Sequence, residues 1–148
     1  MQIIEYFRDG GPSWIPKIEK CDWSAAKFLA KTLKDGTFHE NLGDGAELYL
    51  LDDSGSLAAF CTLSPRDCVD YDSLTPWIGF VFTAPKYRGR RYSGMMIAHA
   101  EDVARKKGCS RTYLCTNEIG LYEKYGYTYL ESRVDIYGEM SRIYYKNI

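Results

Sequence analysis

One stretch constrains the fold more than any other: Trp77-Ile-Gly-Phe-Val-Phe-Thr-Ala-Pro-Lys-Tyr-Arg-Gly-Arg-Arg-Tyr-Ser-Gly94. It begins as an apolar run rich in aromatic residues, which predicts a buried strand. Pro85 ends the run because proline cannot donate a hydrogen bond to a sheet. A basic loop over residues 86–91 follows, and a helical pattern begins near Ser93. Since a helix N-terminus presents unpaired N–H groups and partial positive charge, this order predicts a site for an anionic, phosphate-bearing ligand.

The distribution of charge supports a small anion rather than a polyanion. The net charge of the chain is −1, which argues against a nucleic-acid binder that depends on backbone phosphates. Residues 1–80 carry 7 Lys and Arg against 13 Asp and Glu, whereas residues 81–148 carry 12 against 7. The basic loop alone holds four of those cations. A local basic patch on an acidic protein therefore favours a compact anionic ligand.

Length and cysteine content limit the class of protein. A chain of 148 residues is expected to form a single domain and to bury roughly two-thirds of its unfolded surface. Its five cysteines form no C-x-x-C pair, and its two histidines have no zinc-finger spacing, so we expect reduced thiols and no metal site. No signal peptide or membrane-length apolar run is predicted, and the expected compartment is the cytoplasm.

The N-terminal half is predicted to contain two helices and three strands. The predicted strands cover residues 2–7, 47–51 and 57–63, and the predicted helices cover 13–20 and about 22–34. Asp22 is the predicted N-cap of the longer helix, and Gly36 suits the left-handed position after it. Residues 37–45 are predicted to be a polar connection. Residues 64–73 are predicted to be a loop, and this loop carries three aspartates.

The C-terminal half continues the same alternation. After the basic loop we expect a helix over about 93–107, a strand over 111–116, a short helical turn over 118–124, and a closing antiparallel pair over 127–134 and 139–145. Strands and helices that are intermixed in this way indicate one α/β domain with a mixed sheet, spanning residues 1–148.

Two stretches together resemble the GNAT superfamily of acyl-CoA-dependent N-acyltransferases. Residues 81–94 are similar to that family's strand and pyrophosphate loop, whose pattern is Gln/Arg-x-x-Gly-x-Gly/Ala. The segment Asn117-Glu-Ile-Gly-Leu-Tyr-Glu-Lys-Tyr-Gly-Tyr127 is similar to the family signature Phe-Tyr-x-Lys-x-Gly-Phe. The order of the elements matches as well. The resemblance implies a mixed, mostly antiparallel, twisted sheet of the α/β (α+β) class, flanked by helices and with splayed central parallel strands.

The resemblance also implies a binding site for acetyl-CoA, the acyl donor. In the family, pantetheine lies beside the strand before the loop, and the loop binds the pyrophosphate. The residues implied are Val81, Phe82 and Thr83 on the strand; Arg88, Gly89, Arg90, Arg91, Tyr92, Ser93 and Gly94 in the loop; and Asn117. A backbone N–H near Val81 would polarise the acyl carbonyl.

The loop departs from the family pattern at two positions. With Arg88 at the Gln/Arg position, Arg91 replaces the first motif glycine and Ser93 occupies the Gly/Ala position. Small residues suit this loop because backbone N–H groups must approach the pyrophosphate closely. Arg91 still offers its N–H and adds a cation. The alternative interpretation of these arginines is a solvated surface.

The resemblance assigns one catalytic residue and leaves the general base open. Tyr122 matches the tyrosine that protonates the departing thiolate, and its alternative role is that of a packed aromatic residue. Where some members have a glutamate, this chain has Trp77. The base candidates are Asp70 and Asp72, acting through water, with Glu40 or His39 as further candidates. A helix-capping role for Asn117 fits as well as cofactor orientation.

The function that the sequence predicts is N-acetyl transfer from acetyl-CoA to a primary amine of a small molecule or peptide. The amine would attack directly in a ternary complex, since no cysteine has an activating motif nearby. The alternatives are a non-catalytic acyl-CoA-binding or regulatory domain and, with less support, a modifier of proteins or tRNA. No membrane partner is expected, and a homodimer is left open.

Overall fold

The fold is organised around a seven-stranded sheet in a computed structural model that describes residues 1–69 and 73–148. The strands are β1 (Gln2–Glu5), β2 (Glu47–Asp53), β3 (Ser56–Ser64), β4 (Trp77–Thr83), β5 (Arg111–Thr116), β6 (Thr128–Val134) and β7 (Met140–Asn147). Their order across the sheet is β1-β2-β3-β4-β5-β7-β6. Neighbouring strands are antiparallel except β4 and β5, which are parallel. The predicted fold class, a mostly antiparallel mixed sheet flanked by helices, is confirmed.

Five helices accompany the sheet in the described residues. They are α1 (Tyr6–Asp9), α2 (Ile15–Glu19), α3 (Ser24–Asp35), α4 (Phe38–Leu42) and α5 (Tyr92–Lys106), with 3₁₀ turns at Pro12–Trp14, Pro85–Tyr87 and Tyr122–Tyr125. None of the helices in the described part of the chain combines the length and apolar character of a transmembrane span.

Three predictions in this region need correction. Trp23, rather than Asp22, occupies the N-cap position of α3, and no side chain caps that helix. Residues 37–45 contain the short helix α4, because burial of Phe38 and Leu42 on one side outweighs the polar character of the segment. The first strand ends at Glu5, whose carboxylate accepts a hydrogen bond from the Phe7 N–H at 2.9 Å and starts α1. Gly36 does adopt the predicted left-handed conformation, at φ 71°.

Helices cover both faces of the sheet. Alternate residues of β2 point to opposite faces, so Leu48 and Leu50 pack with α3 while Tyr49 and Leu51 pack on the side of α5. The α5 side is filled by Met96, Ile97, Ala100 and Ala104, and the α3 side by Ala26, Leu29 and Ala30. Burial on both faces explains why β2 and β3 are apolar almost throughout.

A buried polar network anchors α5 to the C-terminal strands. Glu101 is 5% exposed and accepts hydrogen bonds from the Tyr127 hydroxyl at 2.9 Å and from the Lys146 ammonium at 3.1 Å. The Tyr127 hydroxyl also lies 2.8 Å from the Thr112 hydroxyl on β5. Because a buried carboxylate needs such partners, this network fixes α5 relative to β5 and β7.

The central strand β4 is bulged and separates from β5. Phe82 pairs with Phe60 and Gly79 pairs with Thr62, so Phe80 and Val81 together oppose a single residue of β3. Phe80 has a positive φ of 48°, which is an outlier for a bulky residue. Among the described residues, β4 and β5 pair at Trp77 and Tyr113, near the start of both strands. Beyond that point the strands diverge, which confirms the predicted splay.

Candidate active site

A cleft of about 640 Å³ lies between the diverging halves of β4 and β5 and the N-terminus of α5. Most of the residues predicted to bind the acyl donor line it: Val81, Phe82, Thr83, Arg88, Gly89, Arg91, Tyr92 and Ser93. Tyr122 lines it as well, together with Leu114, Cys115 and Thr116 of β5. The structure therefore brings two separate sequence motifs together around one opening. Arg90, Gly94 and Asn117 are not among the lining residues.

The N-terminus of α5 opens into this cleft without a side-chain cap. Arg91 occupies the N-cap position in a left-handed conformation, with φ 61° and ψ 29°. The helix hydrogen bonds begin with the Met95 N–H, which donates to the Arg91 carbonyl at 3.1 Å. The N–H groups of Tyr92, Ser93 and Gly94 precede that bond, so they lack helical acceptors. Arg91 stands where the family has a glycine, and it adopts a left-handed backbone conformation that costs a non-glycine residue about 1–2 kcal/mol.

Arg88 fixes the basic loop to the strand that precedes it. Its Nε donates a hydrogen bond to the Thr83 carbonyl at 3.0 Å, and its guanidinium lies 5.6 Å from the centre of the Phe82 ring. The adjacent Tyr87 hydroxyl donates to the carboxylate of Asp53 at 2.8 Å. The loop therefore has a defined path, while the side chain of Arg88 itself is exposed.

Tyr122 reaches the cleft because the turn that carries it, Tyr122–Tyr125, packs onto α5. The Tyr125 hydroxyl and the Ser93 hydroxyl share a hydrogen bond at 2.9 Å. A Cβ atom on Gly94 would lie only 2.8 Å from the Tyr125 ring, so glycine permits this close packing. Gly94 therefore contacts the turn and helps to position it. It does not line the cleft. Burial raises the pKa of Tyr122 to about 12.

The cleft also contains a polar group without a protein partner. The Thr83 hydroxyl is buried and has no hydrogen-bond partner among the described residues. Buried hydroxyl groups are normally paired, so this one is an exception on a strand that lines the cleft. Together with the uncapped helix and the bulged strand, it fits an elongated molecule with polar groups and a terminal phosphate.

A second cavity of about 440 Å³ adjoins the first. Its walls include the aromatic residues Trp23, Phe28, Phe80 and Tyr137, along with Asp67, Cys68 and Gly79. Trp23, Gly79, Phe80 and Cys115 line both cavities. The two cavities therefore meet at the bulge of β4, and ligands in the two would approach each other there.

Asp67 is a carboxylate in this second cavity that sequence reasoning did not single out. Its Oδ1 accepts a hydrogen bond from the Cys68 N–H at 2.6 Å. Burial raises its pKa to about 6, although the bonds from Cys68 act in the opposite direction. A Cβ atom on Gly79 would lie 2.5 Å from Oδ2 of Asp67. In the sequence, Gly79 is the residue that could have indicated this contact, because a glycine inside a strand marks a close approach by another group.

The predicted base candidates are placed only in part. Asp70 and Asp72 lie outside the described residues. Glu40 and His39 belong to α4 and line neither cavity. Trp77 is fully buried, and its indole N–H donates to the Leu74 carbonyl at 2.6 Å.

Two of the cysteines, Cys61 and Cys68, are held in the thiol form. The Cys68 thiol donates to the Cys115 sulfur at 3.1 Å, and this hydrogen bond, together with burial, raises the pKa of Cys68 far above its usual range. Burial likewise raises the pKa of Cys61. Since the thiolate is the nucleophilic form, neither thiol is activated. Within residues 1–69 and 73–148, no group of three or more His, Cys, Asp and Glu side chains could hold a metal ion.

Comparison with known proteins assigns the family. Residues 15–127 match the family described as the acetyltransferase (GNAT) family. The chain belongs to the GNAT family of acetyltransferases. Membership makes it an acyltransferase, and the resemblance predicted from the two motifs is confirmed. No curated protein sequence matches the chain.

Solved GNAT structures share the whole fold at low identity. An acetyltransferase from Streptococcus agalactiae superimposes with a TM-score of 0.69 at 20% identity, covering 99% of this chain and 98% of that one. A GNAT family acetyltransferase from Elizabethkingia anophelis with acetyl-CoA bound gives 0.69 at 16%, covering 99% and 97%. The aminoglycoside 6′-N-acetyltransferase from Enterococcus faecium gives 0.69 at 14%, covering 99% and 97%. At these identities the likeness concerns the fold, and the acceptor must be argued from this chain's own GNAT site.

Proposed function

We propose that this protein transfers an acetyl group from acetyl-CoA to a primary amine of a small molecule or peptide. The observation that carries the proposal is the meeting of the two cavities at the bulge of β4. One cavity has a basic rim and an uncapped helix N-terminus, and the other has aromatic walls and a carboxylate. A thioester in the first and an amine in the second would lie side by side, which is the main requirement of acyl transfer.

The donor side fits acetyl-CoA group by group. The N–H groups of Tyr92, Ser93 and Gly94 and the cation of Arg91 would hold the pyrophosphate. The diverging backbone of β4 would hold the pantetheine amides, and the unpaired Thr83 hydroxyl offers a further hydrogen bond. A volume of about 640 Å³ lies within the range of ligand sites of this kind.

The bulge of β4 suits the stabilisation of a developing oxyanion. With Phe80 and Val81 opposing one residue of β3, the regular ladder is interrupted at this point. An extra residue in a bulge is left out of the ladder, so a backbone N–H at this point can donate to the thioester carbonyl. Such fixed donors contribute about 2.7–4 kcal/mol to related acyl transfers.

Tyr122 is proposed to stabilise the leaving thiolate by hydrogen bonding. Its pKa of about 12 lies above that of a thiol, about 8.5. Complete transfer of the proton to the thiolate would therefore be unfavourable, whereas donation of a hydrogen bond is not. This role refines the general acid expected from the sequence. An acyl-enzyme route through Cys68 receives no support, because the raised pKa of that thiol disfavours the thiolate.

The proposal is tested by CoA release in the presence of amines. Tyr122→Phe should lower kcat by about 10- to 100-fold, since a hydrogen bond to a charged group contributes about 1.5–3 kcal/mol, and should leave acetyl-CoA affinity unchanged by calorimetry. Tyr129→Phe, which alters an exposed tyrosine on β6, is the matched control. Tight binding of acetyl-CoA without turnover of any amine in a broad panel would replace the proposal with a non-catalytic binding domain.

A further inference from the structure

The second cavity combines features that suit one class of amine. Phe28 and Phe80 stack at 6.5 Å with their planes 9° apart, and Trp23 stands 6.4 Å from Phe80 at 69°. Phe28 is 40% exposed and Tyr137 is 68% exposed, so the aromatic walls reach the entrance. Exposed aromatic surface around a cavity is typical of binding sites for apolar groups.

We propose that Asp67 is the general base of the acetyl transfer and that the cavity around it selects a primary amine carried on an apolar or aromatic group. The inference rests on the proposed function and identifies the acceptor of that same site. The ammonium group would lie at the Asp67 carboxylate, and the apolar body would lie against Trp23, Phe28 and Phe80.

The position of Asp67 supports a role in the reaction. Its Oδ2 lies above Gly79, the residue immediately before Phe80 in the bulge. The Cys68 N–H donates a hydrogen bond to Oδ1. The side chain lines the cavity, and none of the described residues that line it with Asp67 is a cation. A carboxylate with no cationic partner among the described lining residues is free to receive a proton from a bound amine.

The surroundings of Asp67 set its pKa close to working pH. The other titratable groups that line the cavity are Cys68 on the same loop, Cys115 on β5 and Tyr137 between β6 and β7. Thr62 of β3 contributes a hydroxyl beside Gly79. With its pKa raised to about 6 by burial, Asp67 is ionised at neutral pH. Such a base is more effective than an ordinary aspartate.

The chemical step balances without a further reactant. The bound ammonium group first gives one proton to the Asp67 carboxylate, which releases it to solvent and leaves a neutral amine with a free lone pair. The amine nitrogen then forms a bond to the acetyl carbonyl carbon, the carbonyl oxygen becomes an oxyanion, and a second N–H proton passes to Asp67. The carbon–sulfur bond then breaks, and CoA leaves as a thiolate that takes up a proton. The products are an N-substituted acetamide and CoA. Asp67 releases its proton to solvent before the next cycle.

The first test compares amines on the wild-type enzyme. The value of kcat/KM for 2-phenylethylamine should exceed that for ethylamine at least tenfold, because burial of one aromatic ring changes affinity by one to two orders of magnitude. Phe28→Ala should reduce this preference, because it removes one aromatic wall of the cavity. A preference for the polycation kanamycin over 2-phenylethylamine would overturn the proposed acceptor class.

The second test concerns the base. Asp67→Asn should lower kcat about 100-fold, within the range for general base catalysis, and should remove the acidic limb of the pH profile near pH 6. Its deficit should be smaller with 2,2,2-trifluoroethylamine than with ethylamine, since the weakly basic amine loses its proton more easily. Asp44→Asn, at an exposed loop aspartate, is the control.

Gly79 provides a variant that moves Asp67 without replacing it. Gly79→Ala places a Cβ atom against Oδ2, so kcat should fall. In an Asp67→Ala background the same change should have no further effect on kcat. If the wild type acetylates amines but Asp67→Asn keeps the normal rate and pH profile, Asp67 is not the base and the proposed function stands. If the wild type acetylates no amine, both proposals fail.

Discussion

The hydroxyl groups of Ser93 and Tyr125 share a hydrogen bond at 2.9 Å, and this bond connects the two sequence motifs of the family. Ser93 lies in the first turn of α5, beside the loop proposed to bind pyrophosphate. Tyr125 belongs to the turn that carries Tyr122. The donor loop and the residue proposed to act on the leaving group are therefore positioned by one contact.

Removal of the hydrogen bond between Ser93 and Tyr125 should lower both the stability of the protein and kcat. Tyr125→Phe is expected to lower the free energy of unfolding by about 1 kcal/mol and kcat about threefold to tenfold, because Tyr122 loses its fixed position. Thermal unfolding and CoA release measure the two effects. Ser93→Ala should act similarly, and the double variant should be no worse than the single ones. Additive losses would show that the two hydroxyls act separately.

Arg91 separates a backbone effect from a charge effect. Arg91→Gly and Arg91→Ala both remove the cation, but only glycine adopts φ 61° without strain. Arg91→Gly should therefore be more stable than Arg91→Ala by about 1 kcal/mol, measured by urea unfolding. Both variants should bind acetyl-CoA more weakly, with a smaller dependence on salt. Equal stability of the two variants would argue against strain at this residue.

Removal of the charge of Asp67 should stabilise the protein. Its folded-state pKa of about 6 lies above the ordinary value of 3.8. The unfolded chain therefore binds fewer protons between these values, and stability falls as pH rises from about 4 to 6. Asp67→Asn should gain about 1–3 kcal/mol at pH 7, and the gain should disappear below pH 4. A gain that does not depend on pH would have another cause.

A substitution in the Glu101 network should lower the stability of the protein without affecting catalysis. Tyr127→Phe removes the hydroxyl that donates to the buried Glu101 carboxylate, while Lys146 keeps its contact. The free energy of unfolding should fall by about 1.5–3 kcal/mol, whereas kcat at a temperature well below the transition should stay within about twofold. A large loss of kcat in the folded variant would extend the active site to this network.

The elements predicted with the best boundaries are those with strong local patterns. The run 77–83, the loop after it and α5 could be predicted because strand, proline, basic loop and apolar helix follow one another directly. Helix α4 could not, since only Phe38 and Leu42 identify it and their burial depends on the assembled core. Propensity is a weak guide where tertiary packing decides.

The site was predicted unevenly for the same reason. The donor side lies on contiguous residues, and most of them line the cleft. The proposed acceptor side is assembled from five separate segments, including Trp23, Asp67 and Tyr137. No spacing in the sequence reveals that a loop carboxylate lies above Gly79. The bulge of β4 was likewise hidden, because an extra residue leaves the apolar pattern of the strand intact.

The bulge of β4 has a consequence for how such an enzyme changes its substrate. Because one extra residue interrupts the strand, positions 79 and 80 both adjoin the acceptor cavity, while Val81 packs on the opposite face. The proposed oxyanion donor would belong to the backbone, so it would not depend on which side chain occupies position 80. Substitution of Phe80 should therefore alter the range of amines while this backbone donor is kept. A library limited to this position would sample new acceptors against a constant backbone N–H at the thioester.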